Sequence, residues 1–132
     1  MFAEQPTLSA PAVTPGRAAA SSWLEDVRAS ISDAGKYLAT WAEGRARVFE
    51  LESGWSRIGR GANADIRLDD PTVSRRHAVV VRTPEGELRV LDDRSMNGIG
   101  VNGEIVDWAA VEDGDALEVG RYTLYVIETR GA

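Results

Sequence analysis

From Lys36 onward the chain is built of short runs in which apolar and polar residues alternate, broken by turn-forming residues. Tyr37, Ala39 and Trp41 alternate with Leu38 and Thr40, and Gly44 ends the run. Arg47, Phe49 and Leu51 form the next, and Ser53-Gly54 turns the chain into a third over 55–59. Ile66 and Leu68 mark a short fourth run. An apolar run over 78–82 stops at Pro84-Glu85-Gly86, and 88–91 follows it. Asn102-Gly103 lies between 99–101 and 105–106, which predicts a tight hairpin because both turn residues tolerate positive φ. The turn at 112–115 leads into 116–119, and Gly120-Arg121 leads into 122–127, the cleanest alternation of all. Period two with turns every eight to twelve residues or so predicts a β-sandwich or barrel over 36–129, an all-β class.

Upstream the period changes. Ser22-Trp23-Leu24-Glu25 reads as a capping box, and Trp23, Val27 and Ile31 recur at a spacing of four. With Gly35 as the stop, this predicts a short amphipathic helix over 22–35. It is marginal alone and needs a surface to dock on. Residues 1–21 show no period, are rich in Ala, Pro, Ser and Thr, and carry Pro6, Pro11 and Pro15 against helix; they read as a disordered tail. Thr7 and Thr14 in it are candidate phosphorylation sites.

Composition narrows the chemistry. The chain has 132 residues, no cysteine, one histidine and a formal net charge of -6. Thiolate and multi-histidine metal sites are thereby excluded, and no cofactor is expected. An acidic domain is repelled by polyanions, so nucleic acid is not an expected partner. No apolar run approaches the ~20 residues that span a bilayer, so no membrane role is expected. The N-terminus has neither the basic start nor the apolar core of a secretory signal. These features favour a cytoplasmic protein, and the Ala- and Arg-rich style is bacterial.

The polar residues of interest sit where runs meet loops. Gly59 lets the backbone turn or approach another segment closely, and Arg60 after it offers a planar fork that meets two phosphate oxygens at once. Ser74-Arg75-Arg76-His77 adds a hydroxyl, loop amides and two guanidinia, with alternation expected to send Arg75 and Arg76 to different sides. His77, in register with Val79 and Val81, reads as a buried neutral imidazole holding a loop in shape. Asn97-Gly98 serves a tight turn, and the Asn97 amide can also clasp an extended peptide backbone. Asp65, Asp69, Asp70, Asp92, Asp93, Asp113 and Asp115 lie beside run ends, where binding loop amides is their ordinary role. No nucleophile, base and orienting acid can be assembled, so the chain reads as a non-enzyme with no catalytic residue.

In order along the chain, Gly59-Arg60, Asp65-Ile66-Arg67-Leu68-Asp69-Asp70, Val73-Ser74-Arg75-Arg76-His77, Asp92-Asp93-Arg94-Ser95-Met96-Asn97-Gly98, Val101-Asn102-Gly103 and a glycine-bounded segment over 114–120 make a specific set. The set resembles the forkhead-associated (FHA) domain family. That resemblance implies a sandwich of about eleven strands whose loops bind phosphothreonine peptides. It implies Arg60 and Ser74 on the phosphate oxygens, and Arg75 contributing phosphate or peptide contacts. Asn97 would bind the peptide main chain, and His77 would brace the site. Gly59 and Gly98 would shape the loops, and Thr72 would help select a residue downstream of the phosphothreonine. Two positions depart from the family. Met96 stands where threonine is usual, which removes a side-chain hydroxyl and leaves a backbone amide, and Ile99 replaces the threonine usual after Asn-Gly.

The expected function is a phosphothreonine-dependent adaptor in Ser/Thr kinase signalling, with a phosphorylated protein, a kinase or its substrates as partner. The alternatives are a self-associating structural domain, with Trp41, Trp55 and Trp108 as an aromatic patch, or a domain regulated by phosphorylated Thr7 or Thr14 in its own tail.

Overall fold

The computed structural model describes residues 17–130. Two sheets face each other. The first is ordered β2 (Arg45–Glu50), β1 (Gly35–Ala42), β11 (Tyr122–Thr129), β10 (Ala116–Val119), β7 (Ile99–Val101), β8 (Glu104–Val106). The second is ordered β4 (Ile66–Arg67), β3 (Gly54–Gly59), β5 (Ala78–Arg82), β6 (Leu88–Asp92), β9 (Trp108–Val111). The eleven strands are the all-β sandwich that the alternation and the resemblance imply.

One run of alternating residues from each strand points inward. Leu38, Leu117, Leu124 and Val126 from the first sheet meet Ile58, Val80, Leu88 and Val90 from the second, all essentially without solvent exposure. Each such side chain contributes roughly 1.5–3 kcal/mol by leaving water. β1 and β11 pair antiparallel over six registered positions, from Gly35↔Thr129 to Thr40↔Leu124, so the two ends of the domain close the sheet centre. The Asn102-Gly103 hairpin forms as expected, with φ of 52° and 90° and Val101↔Glu104 as its closing pair. β9 is an element the alternation did not mark. Only Val111 of its residues is fully buried, and it pairs on one side only, with β6.

The helix differs from expectation at both ends. It is α1, Arg17–Ser30, rather than 22–35. Ser22 lies inside it and does not cap it. The alanines at 18–20 are the strongest helix formers and carry the helix upstream. At the other end Ser30 turns its hydroxyl back to the Val27 carbonyl at 2.7 Å, Ile31 N bonds the Arg28 carbonyl at 3.3 Å, and the chain leaves the helix before Gly35, which opens β1. The spacing-of-four stripe does dock. Val27 is buried, and Trp23 and Ile31 pack with it on the outward residues of the first sheet, Tyr37, Ala39 and Ile127. Trp23 meets Trp41 and Tyr125 with ring centroids 5.7 and 5.8 Å apart. Arg28 donates to Asp113 at 2.9 Å and pins the helix end to the loop after β9. Thr7 and Thr14 lie outside the described residues, as does most of the expected tail.

Candidate functional site

Three loops meet where β3 ends, where β5 begins and where β6 ends. Their backbones are laced directly: Arg60 N donates to Ser74 O at 2.9 Å, Gly61 N to Arg75 O at 3.2 Å, and Asp93 N to His77 O at 2.9 Å. Gly59 is required by this lacing, since a Cβ there would sit 2.1 Å from the Arg75 carbonyl oxygen. Gly98, at φ 82°, is in the left-handed region that glycine adopts without strain.

His77 has no solvent exposure. Its Nδ1 accepts from the Ser74 amide at 3.0 Å, which leaves Nε2 as the protonated nitrogen, donating to the Gly98 carbonyl at 2.8 Å. One ring thus ties the β4–β5 loop to the β6–β7 loop, and it does so as a neutral imidazole. It touches the Ser74 backbone and not the hydroxyl, so it is not placed to activate Ser74 as a nucleophile. Ser74 Oγ instead accepts from the Met96 amide at 3.0 Å, which leaves the hydroxyl proton to donate elsewhere. Ser95 closes the third loop, accepting from Gly98 N at 2.8 Å and donating to Asp92.

Arg60 is half-buried and held at three points. Its amide bonds Ser74, its carbonyl accepts Arg67 Nε at 3.0 Å, and its own Nε donates to Val73 O at 3.0 Å. Its terminal nitrogens have no partner among the described residues. A guanidinium fixed by Nε with its fork unpaired is pre-oriented for an oxyanion, and little side-chain freedom remains to be lost on binding.

The remaining expected residues fall on either side of this pair. Asn97 is exposed and lines a cleft of about 350 Å³ with Thr72, Gly98, Ile105, Glu118 and Arg121. Thr72 is engaged internally: its hydroxyl donates to Asp70 at 2.5 Å and accepts from Arg121 N at 3.0 Å. Arg121 also reaches Asp70 at 3.3 Å. Burial pushes the Asp70 carboxyl up, but the bonds from Thr72 and the Arg121 charge outweigh that and hold it below its ordinary value.

Arg75 makes no side-chain hydrogen bond among the described residues. It lines a different cleft, of about 290 Å³, together with Arg57 and Arg76. The expected separation of Arg75 from Arg76 is not observed, because both precede β5 and sit in a bend where strand alternation does not apply. Arg76 donates through Nε and Nη2 to the two oxygens of Asp93, at 3.1 and 2.9 Å. Met96 exposes its side chain to 88%, and Ile99 is buried in the core, so neither family departure supplies a hydroxyl at the surface.

Asp115 binds a loop amide as expected, from Glu112 N at 2.8 Å, whereas Asp65 accepts from a strand amide, Arg57 N of β3, at 2.8 Å. Sequence reasoning missed Arg67 and the Asp70–Arg121 clasp. Asp70-Pro71-Thr72 carries a readable local signal, an aspartate capping the amide two residues on, here at 2.9 Å. Arg67 and Arg121 carry none. Among the described residues no group of three or more acidic or histidine side chains could hold a metal ion, and no helix is long and apolar enough to cross a membrane.

The site is therefore one end of a β-sandwich at which adjacent loops are laced around a fixed arginine and a serine hydroxyl. The FHA domain family model matches residues 56–120. An FHA domain solved in a structural and functional analysis of phosphothreonine-dependent FHA domain interactions superposes with a TM-score of 0.66 at 32% identity, over 71% of this chain and 96% of that one. The FhaA FHA domain, complexed with the intracellular domain of Rv3910, superposes with a TM-score of 0.65 at 33% identity, over 70% and 99%. The chain belongs to the forkhead-associated domain family. The Glycogen accumulation regulator GarA of Mycolicibacterium smegmatis is 45% identical over 76 residues, 58% of this chain and 48% of that protein. The Oxoglutarate dehydrogenase inhibitor of Corynebacterium glutamicum is 42% identical over 76 residues, 58% and 52%. The chain spans about half the length of the curated relatives it matches.

Proposed function

We propose that this chain is a non-enzymatic, phosphothreonine-reading adaptor in Ser/Thr kinase signalling, with the sandwich over 36–129 as the binding domain. The carrying observation is the Arg60–Ser74 pair, fixed by Val73, Met96 and His77, with the terminal nitrogens of Arg60 and the Ser74 hydroxyl proton unpaired among the described residues. In this reading Arg60 and the Ser74 hydroxyl take the phosphate oxygens, and Asn97 takes the peptide main chain. Arg75 contributes charge from the flank. Thr72, on the wall of the Asn97 cleft, holds its loop and helps select a residue downstream of the phosphothreonine. The Met96 amide shares the Ser74 hydroxyl in the free protein and exchanges it for phosphate on binding. His77, Gly59 and Gly98 keep the loops in place. The names of GarA and of the oxoglutarate dehydrogenase inhibitor are consistent with regulators that act by binding.

Three or four charge-assisted bonds at roughly 1.5–3 kcal/mol each, offset by ordering the peptide, give micromolar affinity, about -8 kcal/mol. Calorimetric titration with matched phosphothreonine, phosphoserine and unmodified peptides tests this. Saturable binding confined to the phosphorylated peptides, and lost in Arg60→Ala, supports the reading. Binding indifferent to phosphate removes it.

A second reading is self-association. Trp55, Leu91 and Trp108 lie outward on the second sheet, with the two tryptophans 68% and 60% exposed. Trp41 does not join them, since it packs on Trp23 against the opposite sheet. Sedimentation of the Trp55→Ser, Trp108→Ser double variant decides it: an unchanged mass removes the reading.

A further inference from the structure

Two guanidinia near the site are not engaged by any described residue. Arg57 projects from β3 and Arg75 from the bend before β5, and neither makes a side-chain hydrogen bond or ion pair among the described residues. Both line the cleft of about 290 Å³ that lies against the Gly61–Ala64 turn, with Asn63 at its rim. The third arginine of that cleft, Arg76, is neutralised by its two-point pairing with Asp93. That pairing also fixes one wall. Several cations elsewhere are matched: Arg28 with Asp113, Lys36 with Glu128, Arg89 with Glu87 and Arg121 with Asp70. On a chain of net charge -6, two unmatched guanidinia facing one concave surface form a local anion-attracting field.

The position of this cleft gives the field a use. Arg75 directly follows Ser74, and its carbonyl is bonded to Gly61 N, one residue beyond Arg60. A ligand held by Arg60 and Ser74 therefore lies next to Gly61 and Arg75, which line this cleft, and close in sequence to Thr72, which lines the Asn97 cleft. We propose that the Arg57–Arg75 cleft is a second anion subsite, taking an acidic group carried on the same peptide as the phosphothreonine. The inference rests on the phosphothreonine reading above. The shared chemistry is an oxyanion within a few residues of the first, supplied either by a second phosphate or by an Asp or Glu carboxylate. A phosphate is favoured by the two forks, since each guanidinium can meet two oxygens of a dianion.

The test is fluorescence anisotropy with a labelled phosphothreonine peptide in a neutral sequence, and with versions bearing a second phosphothreonine, or an aspartate, at each of the nearby positions on either side. The full chain is used, wild type and Arg57→Ala. Arg57 is exposed and its side chain bonds no described residue, so the variant should fold; the neutral peptide should bind both proteins equally. For wild type, a second anion on one side of the phosphothreonine should tighten binding roughly fivefold, with a dianion gaining more than a carboxylate, and high salt should reduce the gain. Arg57→Ala should abolish that gain. Equal affinity for all peptides, or a gain that survives in Arg57→Ala, overturns the subsite while leaving the primary site intact. If the neutral phosphopeptide itself fails to bind wild type, the phosphothreonine reading fails and the subsite fails with it. An aspartate equal to a phosphate assigns the cleft to acidic sequence rather than to a second modification.

Discussion

The clefts lined by Arg75 and by Asn97 both contain arginine, yet their arginines are not equivalent. In the Asn97 cleft, Arg121 is bonded to Asp70, and Thr72 has its hydroxyl engaged on both sides. The polar groups there hold the wall. In the other cleft Arg76 is paired, and the side chains of Arg57 and Arg75 make no hydrogen bond or ion pair among the described residues. The same side chain is scaffold in one place and proposed reader in the other, and a carboxylate within reach makes the difference. Exposure does not separate these roles: Arg57, Arg75, Arg76 and Arg121 are all exposed residues.

The largest effect should come from Arg60. Arg60→Ala should weaken phosphothreonine-peptide binding by about 2–4 kcal/mol, thirtyfold or more, because it removes two charge-assisted bonds. Calorimetry measures it, and a loss under threefold would shift the phosphate to another cation. His77→Ala should come next. It leaves the half-buried Ser74 amide and Gly98 carbonyl without their partner and opens a void where the buried ring stood, at about 2–4 kcal/mol of stability by chemical denaturation. Binding should fall in the same variant even where it is still folded.

Asp70→Asn tests the scaffold side of the comparison. It should cost about 1–3 kcal/mol at neutral pH. Because the Asp70 carboxyl is held below its ordinary value, its contribution is present above the unfolded value of about 3.9 and is lost as pH falls through the folded one. The difference between wild type and variant should therefore shrink in acid. A constant difference across that range would mean that shape, not charge, holds the clasp. Acid acts separately on the ligand: affinity should decline below a pH of about 6 as the dianionic phosphate takes up a proton and becomes a monoanion. The smallest effect is expected at Met96. Met96→Thr restores a hydroxyl on an exposed side chain, and a gain of about 0.5–1 kcal/mol in phosphopeptide affinity is expected from one added hydrogen bond.

Most of the sandwich and the outline of the site are legible in the residue order. Period-two runs and turn residues are local signals, so the strands from β1 to β8 and the Asn102-Gly103 hairpin can be placed from neighbours in sequence. Arg60, Ser74, His77 and Asn97 are legible as an ordered set, since each stands at a fixed offset from a strand end. The start of α1 is not, because a capping-box pattern at Ser22 competes with helix-forming alanines just upstream. β9 is not, because a short edge strand with Trp108 outward shows little alternation.

The amino-acid order alone dictates the alternation, hence the two-sheet core, and the inventory of cations and hydroxyls in the loops. Which of those groups are available to a ligand is settled by packing. Asp70 and Arg121 are 51 residues apart, and His77 and Gly98 are 21 apart. Only pairing between distant strands brings them within bonding distance. Whether an arginine meets a carboxylate or faces an open cleft is a property of that packing. It is also the property that separates Arg121 from Arg57.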